Sequence, residues 1–391
     1  MRRRWAVVRG AVALSWLVAG IALVPHRICK RGADAAFDGA SPEVSRLADS
    51  VDGWTRDAVT ESQFRTGSRR FDQEWYYGTY MMAAMAFGQL AAQRPEERAA
   101  RIAAMERCID ALLAPRGRAF DAEGWGEDPI DSLAGPHGHA AYLGYTNLAI
   151  SLHRSLVPGS RYDAIGARIT EALARRVEAS PSALVETYPG VTFPVDTAAV
   201  VGSIGLADRA SGGDHRAAIA KYVAAIRAHF MVDGLLVQIA APDGAHLDAA
   251  RGSGTALASY FVSFADVDLA RDLWTGAKRA LYTDVAGFGA LREYPQGASG
   301  GGDIDSGPIV LGLGVAASGF AMAPARMFGD REAFAGLWAT AHLFGAPYDD
   351  GKTRTHLTGG PIGDAILLAM MTATPAPPPP SAMLISKRGV R

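Results

Sequence analysis

From Trp54 onward apolar residues recur at three- and four-residue steps, and no window of four to eight residues alternates as a strand does. That period predicts helices. Glu74-Trp75-Tyr76-Tyr77 runs into Tyr80 to Phe87, and Glu96 to Leu113 puts Ile102, Met105, Ile109 and Leu112 on one face. Further helices are expected over 140–156, 162–179, 197–208, 215–230, 254–264, 267–280, 309–328, 331–344 and 361–371, with a kink imposed by Pro324. Helices joined by short loops, with small Ala and Gly on their faces, pack best as a ring of hairpins, because each needs apolar neighbours on two sides. One all-α toroid over residues 54–371 is the expected architecture. Beyond it the run Pro375-Ala376-Pro377-Pro378-Pro379-Pro380 cannot be helical, so residues 372–391 read as an extended spacer.

The start of the chain has a different pattern. Arg2, Arg3, Arg4 and Arg9 precede an uncharged apolar run from Gly10 to Val24, which Pro25, His26 and Arg27 interrupt. Basic residues before an apolar run mark an export signal or a short membrane anchor, drawn here as residues 1–35. At about 1.5 Å per residue the run falls short of a hydrocarbon core of about 30 Å, so a span would have to recruit Trp5 to Val8. Ala33-Asp34-Ala35 fits a small-x-small cleavage site, and anchor and cleaved signal both stay open. Either one places the body outside the cytoplasm, with membrane contact through this segment.

Composition narrows the function classes. The 39 basic and 40 acidic side chains give a net charge of −1, and no Lys/Arg block could track phosphates, so nucleic acid is not an expected partner. The 44 Gly and 21 Pro fall mostly between helical patterns and in no repeat, which excludes collagen-like and globally disordered chains. Two cysteines exclude a disulfide framework and a thiolate zinc site.

The loops carry the unusual residues. Gly297-Ala298-Ser299-Gly300-Gly301 matches a nucleophile elbow, but the strand before it and the helix straight after it are not visible. Asp303-Ile304-Asp305-Ser306-Gly307 starts like a calcium loop, yet Gly307 stands where an oxygen ligand is needed. Asp305 reads either as a helix N-cap or, with Asp303, as part of a glycine-lined ligand site. His137-Gly138-His139 offers two nitrogens and no carboxylate at a helical step, so these read as surface-loop histidines and no metal is expected. Glu127-Asp128 follows Trp125, and Glu186 precedes Tyr188 and Pro189. Carboxylates beside aromatics in loops are places where raised pKa values and substrate stacking arise.

Trp125-Gly126-Glu127-Asp128-Pro129-Ile130, Gly144-Tyr145-Thr146-Asn147-Leu148, Gly159-Ser160-Arg161-Tyr162, Glu186-Thr187-Tyr188-Pro189 and the loop Asp303 to Gly307 occur in the order and approximate spacing of linalool dehydratase/isomerase. Over roughly Phe71 to Met371 the chain resembles that family. The resemblance implies an (α/α)6 barrel, an N-terminal export segment, and proton-transfer chemistry on a small allylic alcohol without a cofactor. It also implies a catalytic histidine, two cysteines, and an aspartate and tyrosine near the start of the barrel, and there the chain departs. Tyr145 stands at the histidine position, Thr187 and Asp196 stand at the cysteine positions, and the early acid corresponds to Glu61.

The expected catalytic groups are therefore Asp196, Glu186, Tyr145 and Glu61, with Trp125, Asp128, Tyr188, Asp303 and Asp305 lining the same cavity around a small-molecule substrate. Asp196 is favoured for proton transfer, because Thr192-Phe193-Pro194-Val195 makes an apolar approach that desolvates a carboxyl; its other reading is an N-cap for a helix starting near Thr197. Lyase or isomerase chemistry on a small alcohol, terpenols among them, is the main reading. A carbohydrate-active barrel resembling glycoside hydrolases is the alternative, with carboxylates flanked by Trp125, Tyr188 and Tyr294. A non-catalytic membrane-tethered binding protein is the third. Oligomerisation stays open.

Overall fold

A computed structural model describes residues 2–57, 59–60, 63–303 and 306–374. Glu61, Asp305 and the proline run lie outside the described residues. The helices, in chain order, are α1 (Arg2–Cys29), α2 (Ala33–Phe37), α3 (Pro42–Arg56), α4 (Arg69–Gln93), α5 (Arg98–Leu113), α6 (Ala119–Trp125), α7 (Ala140–Leu156), α8 (Asp163–Ala179), α9 (Pro194–Ser211) and α10 (Arg216–Ala225). After them come α11 (Gly252–Val262), α12 (Val267–Leu281), α13 (Val315–Phe320), α14 (Met322–Met327), α15 (Arg331–Gly345) and α16 (Gly360–Thr372).

An inner ring runs α4, α7, α9, α11, α13–α14, α16 and back to α4, each packed on the next. The outer helices α3, α5, α8, α10, α12 and α15 alternate with them in sequence, giving six hairpins and an (α/α)6 barrel. Burial follows position in the ring. Inner helices are apolar on nearly every side, as α7 is from Ala140 to Gly144 and α9 from Pro194 to Ala207. Outer helices bury one stripe only, as α12 does with Leu269, Ala270, Leu273, Trp274 and Ala277. Small residues let the inner helices close up: a Cβ on Gly202 would sit 2.1 Å from the Phe261 carbonyl oxygen of the neighbouring helix.

All inner helices run the same way, so the six loops before Arg69, Ala140, Pro194, Gly252, Val315 and Gly360 gather at one end. Four small antiparallel hairpins decorate it: β1 (Met231–Val232) with β2 (Leu235–Leu236), β3 (Tyr282–Val285) with β4 (Phe288–Leu291), β5 (Ile309–Val310) with β6 (Leu313–Gly314), and β7 (Pro347–Asp349) with β8 (Arg354–His356). Strands of two to four residues are too short for alternation to be read in sequence. One of them corrects an expectation, since Ile309–Gly314 is a hairpin and not the start of a helix.

Pro324 acts as its chemistry dictates. It lacks an N–H and its ring crowds the carbonyl four residues back, at Phe320, which is where α13 ends before α14 begins at Met322. The barrel starts earlier than Trp54. Ser41 accepts from the amides of Glu43 and Val44, Pro42 opens α3, and Val44, Leu47, Ala48 and Val51 face the core.

Helix α1 passes through Pro25 to Cys29, and the proline removes one donor without ending the helix. Among the described residues no helix is long and apolar enough to cross a membrane, so the expected anchor is not matched by a spanning helix. The segment after α1 is bound to the barrel. The Trp338 indole donates to the Arg31 carbonyl (3.0 Å), Ala33 and Ala36 are buried, and the Phe37 ring packs edge-on against Phe334. A boundary at residue 35 would cut through this packing.

Candidate functional site

The first two turns of α4, α7 and α9 supply one group of side chains. Pro194 occupies the first helical position of α9, where a missing N–H costs nothing, so the helix starts three residues before Thr197. Phe193 holds the N-cap position, not Asp196. That leaves the Asp196 carboxylate to receive two hydroxyls: Tyr145, from the second turn of α7, donates to Oδ1 (2.6 Å), and Thr187 donates to Oδ2 (2.7 Å). Asp196 is only 8% exposed, and burial pushes its carboxyl up, against the lowering effect of the two hydroxyls. The Tyr145 ring lies against Phe261. The fold thus brings Tyr145 and Thr187, 42 positions apart, onto the two oxygens of one carboxylate.

Two further groups join this one. Trp125 donates its indole N–H to the Thr187 carbonyl (3.1 Å). Tyr188 donates to Glu74 Oε1 (2.9 Å), while the Arg70 guanidinium lies 4.0 Å from its ring centroid. Burial, then the adjacent Glu74 charge, push the Tyr188 hydroxyl up and keep it a donor. Glu74 was not singled out from the sequence; its one signal there is the aromatic run Trp75-Tyr76-Tyr77 that follows it.

The other expected site residues have structural partners. Glu186 presents its backbone to the site: its carbonyl accepts from Ala140 N (3.1 Å), and its side chain closes the turn to Gly190 N (3.4 Å). A direct catalytic contact with Asp196 is therefore not what the structure gives it. Asp128 pairs with Arg118 (3.0 Å) and accepts from the amides of Ile130 and Asp131, which makes it a turn-former. Asp303 is at the same end of the barrel but beside α11, where Arg251 binds its Oδ2 (2.7 Å) and Ser306 N donates to its Oδ1 (2.8 Å). Near it Glu293 is fully buried, receives the Ser253 hydroxyl (2.5 Å), and has its carboxyl pushed up by burial. Sequence reasoning missed Glu293, although Tyr294 beside it is the kind of context that flags a carboxylate.

The histidine pair departs from its sequence reading. His137 is exposed, but His139 is wholly buried, with Nδ1 2.6 Å from Oδ2 of the equally buried Asp121. Its Nε2 lies 3.1 Å from Glu127 Oε1, and His137 Nδ1 lies 2.8 Å from the same oxygen. The carboxylate that no helical step supplied comes from a loop ten positions upstream of His137. Burial pushes the Asp121 carboxyl up, while His139 and then His137 hold Glu127 down. Gly138 makes this possible: a Cβ there would meet the Glu186 carbonyl oxygen at 2.1 Å.

The site therefore belongs to an all-α (α/α)6 barrel, a fold seen in glycoside hydrolases. No protein-family model matches the sequence, and no curated protein matches it. Among solved structures, the GH76A alpha-1,6-mannanase from Salegentibacter sp. HEL1_6 is similar at a TM-score of 0.51 and 10% identity, over 84% of this chain and 98% of that chain. An unsaturated glucuronyl hydrolase from Streptococcus agalactiae is similar at a TM-score of 0.42 and 10% identity, over 75% of this chain and 80% of that one. A UGL variant with dGlcA-Glc-Rha-Glc is similar at 0.46 and 14%, over 75% and 85%. The fold likeness rests on the mannanase.

Proposed function

We propose that this protein is a carbohydrate-active acid–base enzyme of the glycoside hydrolase kind, with Asp196 as its proton donor. The observation that carries the reading is a buried carboxyl, pushed up by desolvation, in the hydrogen-bonded embrace of Tyr145 and Thr187. A second carboxylate, Glu74, is bonded to Tyr188, whose hydroxyl also feels the Asp196 charge. Two carboxyls in different environments divide acid and base roles.

In this reading protonated Asp196 gives its proton to the bridging oxygen as the glycosidic C–O bond breaks. The hydroxyls of Tyr145 and Thr187 stabilise the carboxylate left behind. Water adds its oxygen to the anomeric carbon and passes its proton to Glu74.

A second reading, a dehydratase/isomerase-like enzyme on a small alcohol, is favoured by one observation. Tyr145, Thr187 and Asp196 stand in contact at the positions that the linalool dehydratase/isomerase resemblance assigns to proton transfer. One experiment separates the two: incubate the protein with a panel of oligosaccharides and aryl glycosides and, in parallel, with terpenols, and analyse products by chromatography. Release of sugar that falls about 10²–10⁴-fold in Asp196→Asn supports the first reading. Terpenol conversion with the same dependence replaces it with the second, and turnover of neither leaves a binding protein. The basic, then apolar, N-terminal sequence supports export of the body from the cytoplasm.

A further inference from the structure

We propose that Glu127, His137 and His139 bind one divalent transition-metal ion of the zinc class, with buried Asp121 orienting His139. This goes beyond the acid–base reading and does not depend on it.

One ligand atom from each of the three side chains lies within 4.8 Å of the others. Two of the spacings, 2.8 Å and 3.1 Å to Glu127 Oε1, are near the roughly 3.3 Å that separates neighbouring ligands on a tetrahedral ion with bonds of about 2.0–2.2 Å. Two imidazole nitrogens and one carboxylate oxygen form a borderline donor set that suits zinc and leaves one position open.

Asp121 supplies the second part of the argument. Its Oδ2 sits 2.6 Å from His139 Nδ1, and both side chains are 0% exposed. The carboxylate thus fixes the direction of the ring and turns Nε2 toward Glu127 Oε1 at 3.1 Å. An ion seated among His139 Nε2, His137 Nδ1 and Glu127 Oε1 would be held by all three. A carboxylate behind a histidine is the arrangement that fixes tautomer and ring direction in metal sites.

The backbone points the same way. His139 has φ 51, a left-handed conformation that a non-glycine residue pays for, and it precedes α7 directly. Gly138 seated on the Glu186 backbone holds it there. Trp125 stacks on His137 at 5.1 Å and packs at a tilt on His139 at 4.8 Å, and so walls one side of the site. Ser132 Oγ lies 3.3 Å from His139 Nε2, which gives the order of a nucleophile relay, but its hydroxyl donates to the Asp128 carbonyl at 2.7 Å and is not activated.

The test uses the full chain stripped with chelator and dialysed. Co²⁺ titration read by visible d–d absorption, and Zn²⁺ titration read by calorimetry, should each give one equivalent, with zinc displacing cobalt. His137→Ala and Glu127→Gln, at side chains open to solvent, should each weaken binding at least tenfold with an unchanged circular dichroism spectrum. Asp121→Asn should weaken it about 10–100-fold. No stoichiometric binding overturns the proposal, and so does parent-like affinity in His137→Ala and Glu127→Gln, because the ion would then sit elsewhere.

Discussion

Tyr145→Phe deletes one oxygen and leaves the ring in place against Phe261, so it probes the 2.6 Å hydrogen bond to Asp196. That bond favours the ionised carboxylate. A hydrogen bond to a charged group contributes about 1.5–3 kcal/mol. At about 1.36 kcal/mol per tenfold in proton affinity, the variant should hold the Asp196 proton to proton concentrations roughly 10- to 150-fold lower than the parent. The sign for stability follows from burial. Desolvation already raises the folded pKa of Asp196 above its unfolded value, so the native state binds more protons. Its contribution is fully present below the unfolded value, about 3.9, and is lost as pH rises through the folded one. Parent and variant should therefore lie closest in stability at the acid end of the range, below the parent's folded pKa. As pH passes the parent's folded pKa, the parent stops losing stability on account of this group and the variant continues. The deficit should grow to about 1.5–3 kcal/mol. Urea unfolding of both proteins at a series of pH values from 4 to 9 measures it without any substrate. A deficit that is the same at every pH, or greatest at the acid end, would refute the reasoning.

Gly138→Ala should lower stability by about 1–3 kcal/mol in thermal melts, because its Cβ would stand 2.1 Å from a backbone oxygen that has no side-chain freedom to yield. Unchanged melting would mean that the close approach of the two loops is not required. Removing residues 1–24 should leave the melting temperature of the barrel unaltered, whereas removing residues 1–40 should lower it. The longer truncation strips the Trp338–Arg31 hydrogen bond and exposes the surface that Ala33, Ala36 and Phe37 cover. Equal melting of the two truncations would count against this segment as part of the body.

The helical period, the burial of whole helix faces and the break at Pro324 were legible in the sequence, because each depends on residues three or four positions apart along one chain segment. So was the hydrophobic approach that buries Asp196. Ring closure was what remained hidden. Tyr188 meets Glu74 across 114 positions, Trp125 meets Thr187 across 62, and Tyr145 meets Asp196 across 51. Beyond the aromatic run that follows it, nothing local distinguishes Glu74 from any other helical glutamate. His137-Gly138-His139 reads as a surface loop because it is short and glycine-bearing; His139 is buried only because the Glu186 backbone packs over Gly138 and Asp121 sits behind the ring. Secondary structure is a property of neighbours in sequence, so the sequence determined it. The environment of each carboxylate and imidazole is set by side chains from other hairpins, and only the closing of the barrel decides which of them meet.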